Sequence, residues 1–199
     1  DHAAATPVDR TVLAAMQPYF TDNFYNPSAI YLAARAVKQD VSAARAEVAK
    51  VIGAKPSEII FTAGGTEANN LAIAGIMRKY PNSNCVIAST EHESIQQVAA
   101  LFAYKEAMVD AQGVIDIASL TKVIGPKTVL VSVAYANSEI GTIQPVDEIV
   151  KIAADIPVHT DAVQSFGKIE FNFASLGVTA ATISAHKVGG PLGVAALIL

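Results

Sequence analysis

Apolar residues along the chain follow two alternating patterns. Short unbroken runs, Glu58-Ile-Ile-Phe-Thr62, Cys85-Val-Ile-Ala-Ser89, Thr128-Val-Leu-Val-Ser-Val133, Ile156-Pro-Val-His159 and Val194-Ala-Ala-Leu-Ile-Leu199, predict buried strands. Between them, apolar positions recur every three or four residues and predict helices: Val37, Val41, Ala44, Val48 and Val51; Leu71, Ile73 and Ile76; Ile95, Val98 and Leu101; Val146, Ile149, Val150 and Ile152. Thr6-Pro7 with Asp9 opens a short helix that Pro18 ends near Phe20, and a longer helix follows Asn26-Pro-Ser28 and ends at Gly53. Its apolar stripe is expected to pack into the core. The turn Asp110-Ala-Gln-Gly113 separates Ala107-Met-Val109 from Val114-Ile115, Asp116 caps a helix through Leu120, and Pro145 starts another. Strands alternating with helices predict an α/β domain around an open, mostly parallel sheet. Glu58–Thr62 is expected as a buried parallel strand, and the run ending at Leu199 as an open, apolar edge that invites a partner.

Composition narrows this picture. With 199 residues, 52% hydrophobic and 16% charged, the chain is expected to be one globular domain. A net charge of −4 gives no electrostatic reason to expect nucleic acid or an anionic membrane as partner. The apolar runs fall short of the roughly 18–20 residues a membrane span needs, and no signal-peptide pattern opens the chain. A single cysteine excludes an internal disulfide and fits a cytoplasmic protein. Lying at the start of an apolar strand, Cys85 reads as a small core residue rather than a nucleophile.

Polar residues cluster where the strands end. Ala63-Gly-Gly-Thr66 lies between a strand and a helix, where bare N–H groups and a hydroxyl can hold a phosphate, although glycines there can also simply make the turn. His92 is at the next junction, suited to stacking on an aromatic ring and moving a proton, or standing in solvent at a helix start. Asn137 and Ser138 follow Thr128–Val133, and Asp161 with Gln164 follows Ile156–His159. Ser184-Ala-His-Lys187 precedes the flexible Val-Gly-Gly-Pro191. A lysine held partly desolvated there can act as a Schiff-base nucleophile, and a carboxylate such as Asp161 can keep a pyridine nitrogen protonated. This pairing points to pyridoxal phosphate. Since strand ends of an open parallel sheet share one edge, all five groups are predicted to line one site.

These motifs, together with Asp1-His-Ala-Ala-Ala-Thr-Pro7, Phe61-Thr-Ala-Gly-Gly-Thr-Glu-Ala-Asn-Asn-Leu71, Thr90-Glu-His92 and Ala136-Asn-Ser-Glu-Ile-Gly-Thr-Ile-Gln-Pro145, resemble the large-domain half of cysteine desulfurases of the NifS/IscS type. Those are fold-type-I pyridoxal-phosphate enzymes of the class V aminotransferase group. The resemblance implies a three-layer α/β/α large domain over residues 1–199, incomplete, with the C-terminal small domain absent. It implies that Lys187 carries the cofactor as a Schiff base and shuttles the substrate α-proton, that Asp161 pairs with the pyridine nitrogen and Gln164 with the ring hydroxyl, and that His92 stacks on the ring and acts as acid or base. Gly65, Thr66, Ser184 and His186 would grip the phosphate, with Asn137 and Ser138 near cofactor or substrate; no metal is implied. Ser138 stands where the family commonly has a second asparagine, Leu192 where it has lysine in Gly-Pro-Lys-Gly, and Tyr31 where it has histidine after Asn-Pro-Ser.

Further implications concern activity. The resemblance implies conversion of L-cysteine to alanine, with sulfur passed on as persulfide for iron–sulfur or other sulfur assembly through an acceptor or scaffold protein. In relatives, the sulfur-accepting cysteine and the arginine that holds the substrate carboxylate lie beyond the position of Leu199. A homodimer, or association with a C-terminal half, is therefore expected, the chain being incomplete for sulfur transfer alone. Selenocysteine lyase, another class V aminotransferase and a non-catalytic subunit of the same fold are the alternative readings.

Overall fold

The computed structural model describes residues 1–199. In chain order the elements are α1 Arg10–Met16, α2 Pro18–Thr21, α3 Leu32–Ile52, β1 Ile59–Thr62, α4 Gly65–Lys79, β2 Asn84–Ala88, α5 Glu93–Ala99, β3 Tyr104–Ala107, α6 Ile117–Val123, β4 Thr128–Ser132, α7 Val146–Ala153, β5 Val158–Asp161, α8 Phe173–Leu176, β6 Ala180–Ser184 and β7 Ala195–Ile198. Several boundaries follow from local chemistry. Asp9 caps α1 by accepting from the Thr11 N–H, Asp116 caps α6 by accepting from the Ala118 N–H, and Gly53 ends α3 in the left-handed region. Pro18 does more than end a helix, for it sits in the first turn of α2.

The sheet has seven strands in the order β1-β7-β6-β5-β4-β2-β3. Strands β3, β2, β4, β5 and β6 are parallel, and only β7 runs the other way, antiparallel to both β6 and β1. The C-terminal ends of β1, β2, β4, β5 and β6 consequently share one edge.

Alternation along the strands separates two packed layers. From β2, Val86 and Ala88 enter a large cluster with Ala49 and Ile52 of α3, Leu120 of α6, Ile149 of α7 and Phe173 of α8. Cys85 and Ile87 enter the opposite layer with Ile73 and Met77 of α4 and Ile95 and Val98 of α5. Small residues Ala68 and Ala72 bring α4 close to Ala180 and Leu197. The three-layer α/β/α arrangement with a mostly parallel sheet agrees with expectation. No helix is long and apolar enough to cross a membrane.

Four local expectations are corrected. β1 is an antiparallel edge strand with Ile60 and Phe61 partly exposed, not a buried parallel one. Its exposed side is covered in part by Arg45, whose guanidinium lies 4.7 Å from the Phe61 ring centroid. β7 is no open edge: it lies between β1 and β6 with all four residues buried, so its backbone is paired on both sides. The stripe of α3 is only partly core. Ala34, Val37, Ala49 and Ile52 are buried, while Val41, Ala44 and Val51 are exposed, because a helix about 30 Å long overruns the sheet and only its last turns reach the large cluster. Leu101 lies beyond α5 in a turn and is exposed.

Candidate functional site

A cleft of about 1050 Å³ opens along the shared strand edge, and it is lined by all ten candidate site residues: Gly65, Thr66, His92, Asn137, Ser138, Asp161, Gln164, Ser184, His186 and Lys187. Each is delivered by the same device, a strand that ends and a chain that turns.

Asp161, the last residue of β5, is the buried floor. Its Oδ2 accepts from Asn69 Nδ2 at 2.8 Å and its Oδ1 from the Val163 N–H at 2.9 Å. Burial pushes its carboxyl above the ordinary aspartate range, while those donors and the electrostatic influence of His92 and Lys187 pull it back. Beneath it, His159 is fully buried between Ser132 Oγ at 2.9 Å and Thr182 Oγ1 at 3.0 Å, joining β4, β5 and β6.

Asn69 also links Asp161 to His92. Its amide donates its other hydrogen to Ser94 Oγ at 2.9 Å, and Ser94 Oγ lies 2.8 Å from His92 Nδ1. The Ser94 N–H donates to the same Nδ1 at 3.1 Å. An accepting Nδ1 puts the proton of a neutral imidazole on Nε2.

Lys187 ends a 3-10 turn after β6. Its amine donates to the carbonyls of Ala3 and Ala4, and Gln164 Nε2 donates to the Ala3 carbonyl at 2.8 Å. Burial lowers the Lys187 amine below the usual lysine range, the neighbouring Lys168 charge lowers it further, and Asp161 opposes both. The turn is tight: a Cβ on Gly190 would stand 2.6 Å from the Ala185 Cβ. Thr6 braces it, its N–H and hydroxyl both donating to the His186 carbonyl at 2.9 Å.

At the other end, α4 begins at Gly65 with Gly64 as N-cap and no capping side chain, so its first N–H groups face the cleft without an intrahelical partner. A Cβ on Gly65 would meet Val163 Cγ2 at 3.3 Å, which keeps this turn close to the β5 end. Ser184 Oγ and His186 Nδ1 are 2.9 Å apart beside it. Asn137 stands differently. Its Oδ1 accepts from the N–H groups of Glu139 and Ile140 and its Nδ2 donates to the Thr90 carbonyl, so its carboxamide shapes the loop. Ser138 is exposed at the rim.

Sequence reasoning assigned no role to Asn69, Ser94 or Glu91. Asn69 lies one helical turn after Gly65 and Thr66, so helical spacing points it at the same site. Cys85 is fully buried on the far layer and its thiol is pushed up to about 11, as a core cysteine should be.

Comparison with known proteins places the chain in a family. The aminotransferase class-V profile matches residues 1–199. The cysteine desulfurase IscS of Dictyoglomus turgidum is 41% identical over 100% of this chain and 53% of its own length. That of Anaeromyxobacter dehalogenans is 42% identical over 99% and 51%. Among solved structures, a NifS-like protein superposes with a TM-score of 0.97 at 34% identity, over 100% of this chain and 58% of that one. A structure described as SspA in complex with cysteine superposes with a TM-score of 0.95 at 36% identity, over 100% and 60%. The chain spans about half the length of the curated relatives it matches.

Proposed function

The chain belongs to the aminotransferase class-V family, and from that premise we propose that it is the cofactor-binding large domain of a pyridoxal-phosphate cysteine desulfurase. The convergence of Lys187, Asp161 and the open helix start at Gly65–Thr66 in one cleft carries this reading. The donor set fits the cofactor at three points. Unpartnered N–H groups of α4 with Ser184 and His186 suit a phosphate dianion, Asp161 suits a protonated pyridine nitrogen, and Lys187 offers an amine of lowered basicity for an aldehyde. When bound, pyridoxal phosphate supplies an electron sink for the substrate's α-carbon.

The chain's own residues do the rest. Gln164 would turn its amide from the Ala3 carbonyl toward the ring hydroxyl. His92, with Nδ1 engaged by Ser94, presents Nε2–H to the cleft and can stack on the ring or pass a proton. The Lys187 amine, held at the cleft floor beside Asp161, would be the base that takes the substrate's α-proton. Cleavage of the carbon–sulfur bond of L-cysteine leaves alanine and transfers sulfur to a thiol. Buried Cys85 is no such acceptor, so the persulfide would form on a cysteine outside residues 1–199, and an acceptor protein would receive it from there. A second subunit or C-terminal half completing the site belongs to the same proposal. The tyrosine at position 31 and serine at 138 leave the substrate's identity to be tested against selenocysteine and other amino acids.

Incubation with pyridoxal phosphate followed by borohydride reduction tests the core of this reading. Covalent label should map to Lys187, vanish in Lys187→Ala, and form with about tenfold or more weaker affinity in Asp161→Ala, for loss of a charge-assisted bond. Label that survives Lys187→Ala overturns it.

A further inference from the structure

One carboxyl in the cleft wall has no part in that chemistry. Glu91 follows β2 and is only 5% exposed. Its Oε1 accepts from the Ala134 N–H at 2.8 Å, just beyond β4, the neighbouring strand. Its Oε2 is buried with no hydrogen-bond partner. The main chain is fixed on both sides, the N–H donating to Ala88 and the carbonyl accepting from Gln96 Nε2 at 2.9 Å. A second tie runs parallel, from Asn137 Nδ2 to the Thr90 carbonyl at 3.2 Å. Together they join the turn that carries His92 to the loop over residues 134–137.

Charge decides the form of this carboxyl. The charge of Asp161 on β5 acts on it, His92 and Glu93 flank it on its own turn, α4 lines the cleft with only the uncharged Gly65, Thr66 and Asn69, and Asp1, Glu139, His186 and Lys187 are the other titratable groups of the lining. Neither ion pair in the molecule involves it. An ionised Glu91 would bury a second negative charge near Asp161 and leave one oxygen with no donor at all. We propose that Glu91 serves as a neutral carboxylic acid, a positioning residue that ties the His92 turn to the 134–137 loop and leaves Asp161 as the cleft's buried anion. Burial accordingly pushes its carboxyl up to about 8. Above that point, ionisation would set a competing anion beside the aspartate that holds the ring nitrogen.

The cofactor half of the test rests on the reading given above, and the protein without cofactor supplies an independent half. Without cofactor, the unfolded chain releases this proton near the ordinary glutamate value of 4.5, whereas the folded protein holds it to about 8. Stability attributable to Glu91 therefore falls as pH rises through that window. In Glu91→Gln, which keeps an acceptor for Ala134, the denaturation midpoint should lose that decline between pH 4.5 and about 8. Pyridoxal-phosphate affinity should fall several-fold above about pH 8 in the wild type, stay level in Glu91→Gln, and be about tenfold lower at every pH in Glu91→Ala, which removes the tie. An unchanged pH profile of stability in Glu91→Gln overturns the proposal, as does a Gln variant that binds as poorly as Ala at neutral pH. If no protein binds cofactor, the proposed function fails while the stability profiles still decide the state of Glu91. Should the variants not fold, the side-chain carboxyl carbon resonance of wild-type Glu91 decides: an ionised signal at neutral pH overturns the idea.

Discussion

A single buried histidine illustrates how the site is held from below. His159 is bonded through both ring nitrogens to hydroxyls, and burial lowers its pKa to about 4. The unfolded chain takes up this proton near 6.5, so the folded state is the poorer proton binder and stability is lost as pH falls from 6.5 toward 4. His159→Gln, which can bond the same hydroxyls without titrating, should flatten that acid limb by on the order of 2–3 kcal/mol; urea midpoints measured from neutral to mildly acid pH check it. At this scale the sequence was highly legible wherever a residue type dictates chemistry. That Lys187, Asp161 and the Gly65–Thr66 turn meet in one cleft was readable because each follows a strand, and strand ends of a mostly parallel sheet share one edge. Glu91 and Asn69 were not, since their roles depend on burial and on a partner across the fold, Ala134 and Asp161, that no local pattern names.

Among the elements, legibility followed the number of faces a segment buries. β2, β4 and β5, covered on both sides, read as unbroken apolar runs and were placed within a residue or two. β1 shows the same run but lies at the edge, where Phe61 leans on the Arg45 guanidinium and Ile60 stays partly exposed. In α3, valines at helical spacing outnumber the sites the sheet can cover, so periodicity overstated the core. The end of α7 was invisible from pattern. Ala154 closes it at φ 51°, ψ −112°, a left-handed conformation for a residue with a Cβ. Ala154→Gly should therefore raise stability by about 1 kcal/mol, the relieved strain outweighing the added freedom of the unfolded chain. Chemical denaturation reads this directly, and an unchanged or lowered midpoint would show that α7 ends without strain.

For the whole molecule, the central question is how one reversed strand knits β1 to the parallel sheet. β7 pairs with β6 on one side and β1 on the other, and its alternate residues enter opposite layers: Ala196 and Ile198 join the large cluster, Leu197 the small one beneath α4. Removing β7 would detach β1, and with β1 the turn that starts α4 and leaves its first N–H groups open to the cleft. Packing at β7 is thus coupled to the site although none of its residues lines the cleft. Ile198 is fully buried, so Ile198→Ala should cost about 2–5 kcal/mol and weaken cofactor capture through the displaced α4 start. Leu101→Ala, at a position 73% exposed, should change stability by no more than about 0.5 kcal/mol. Thermal denaturation of both variants with and without pyridoxal phosphate separates the cases. Equal, small losses would mean that β7 behaves as the open edge its sequence pattern predicts rather than as an interior strand of the sheet.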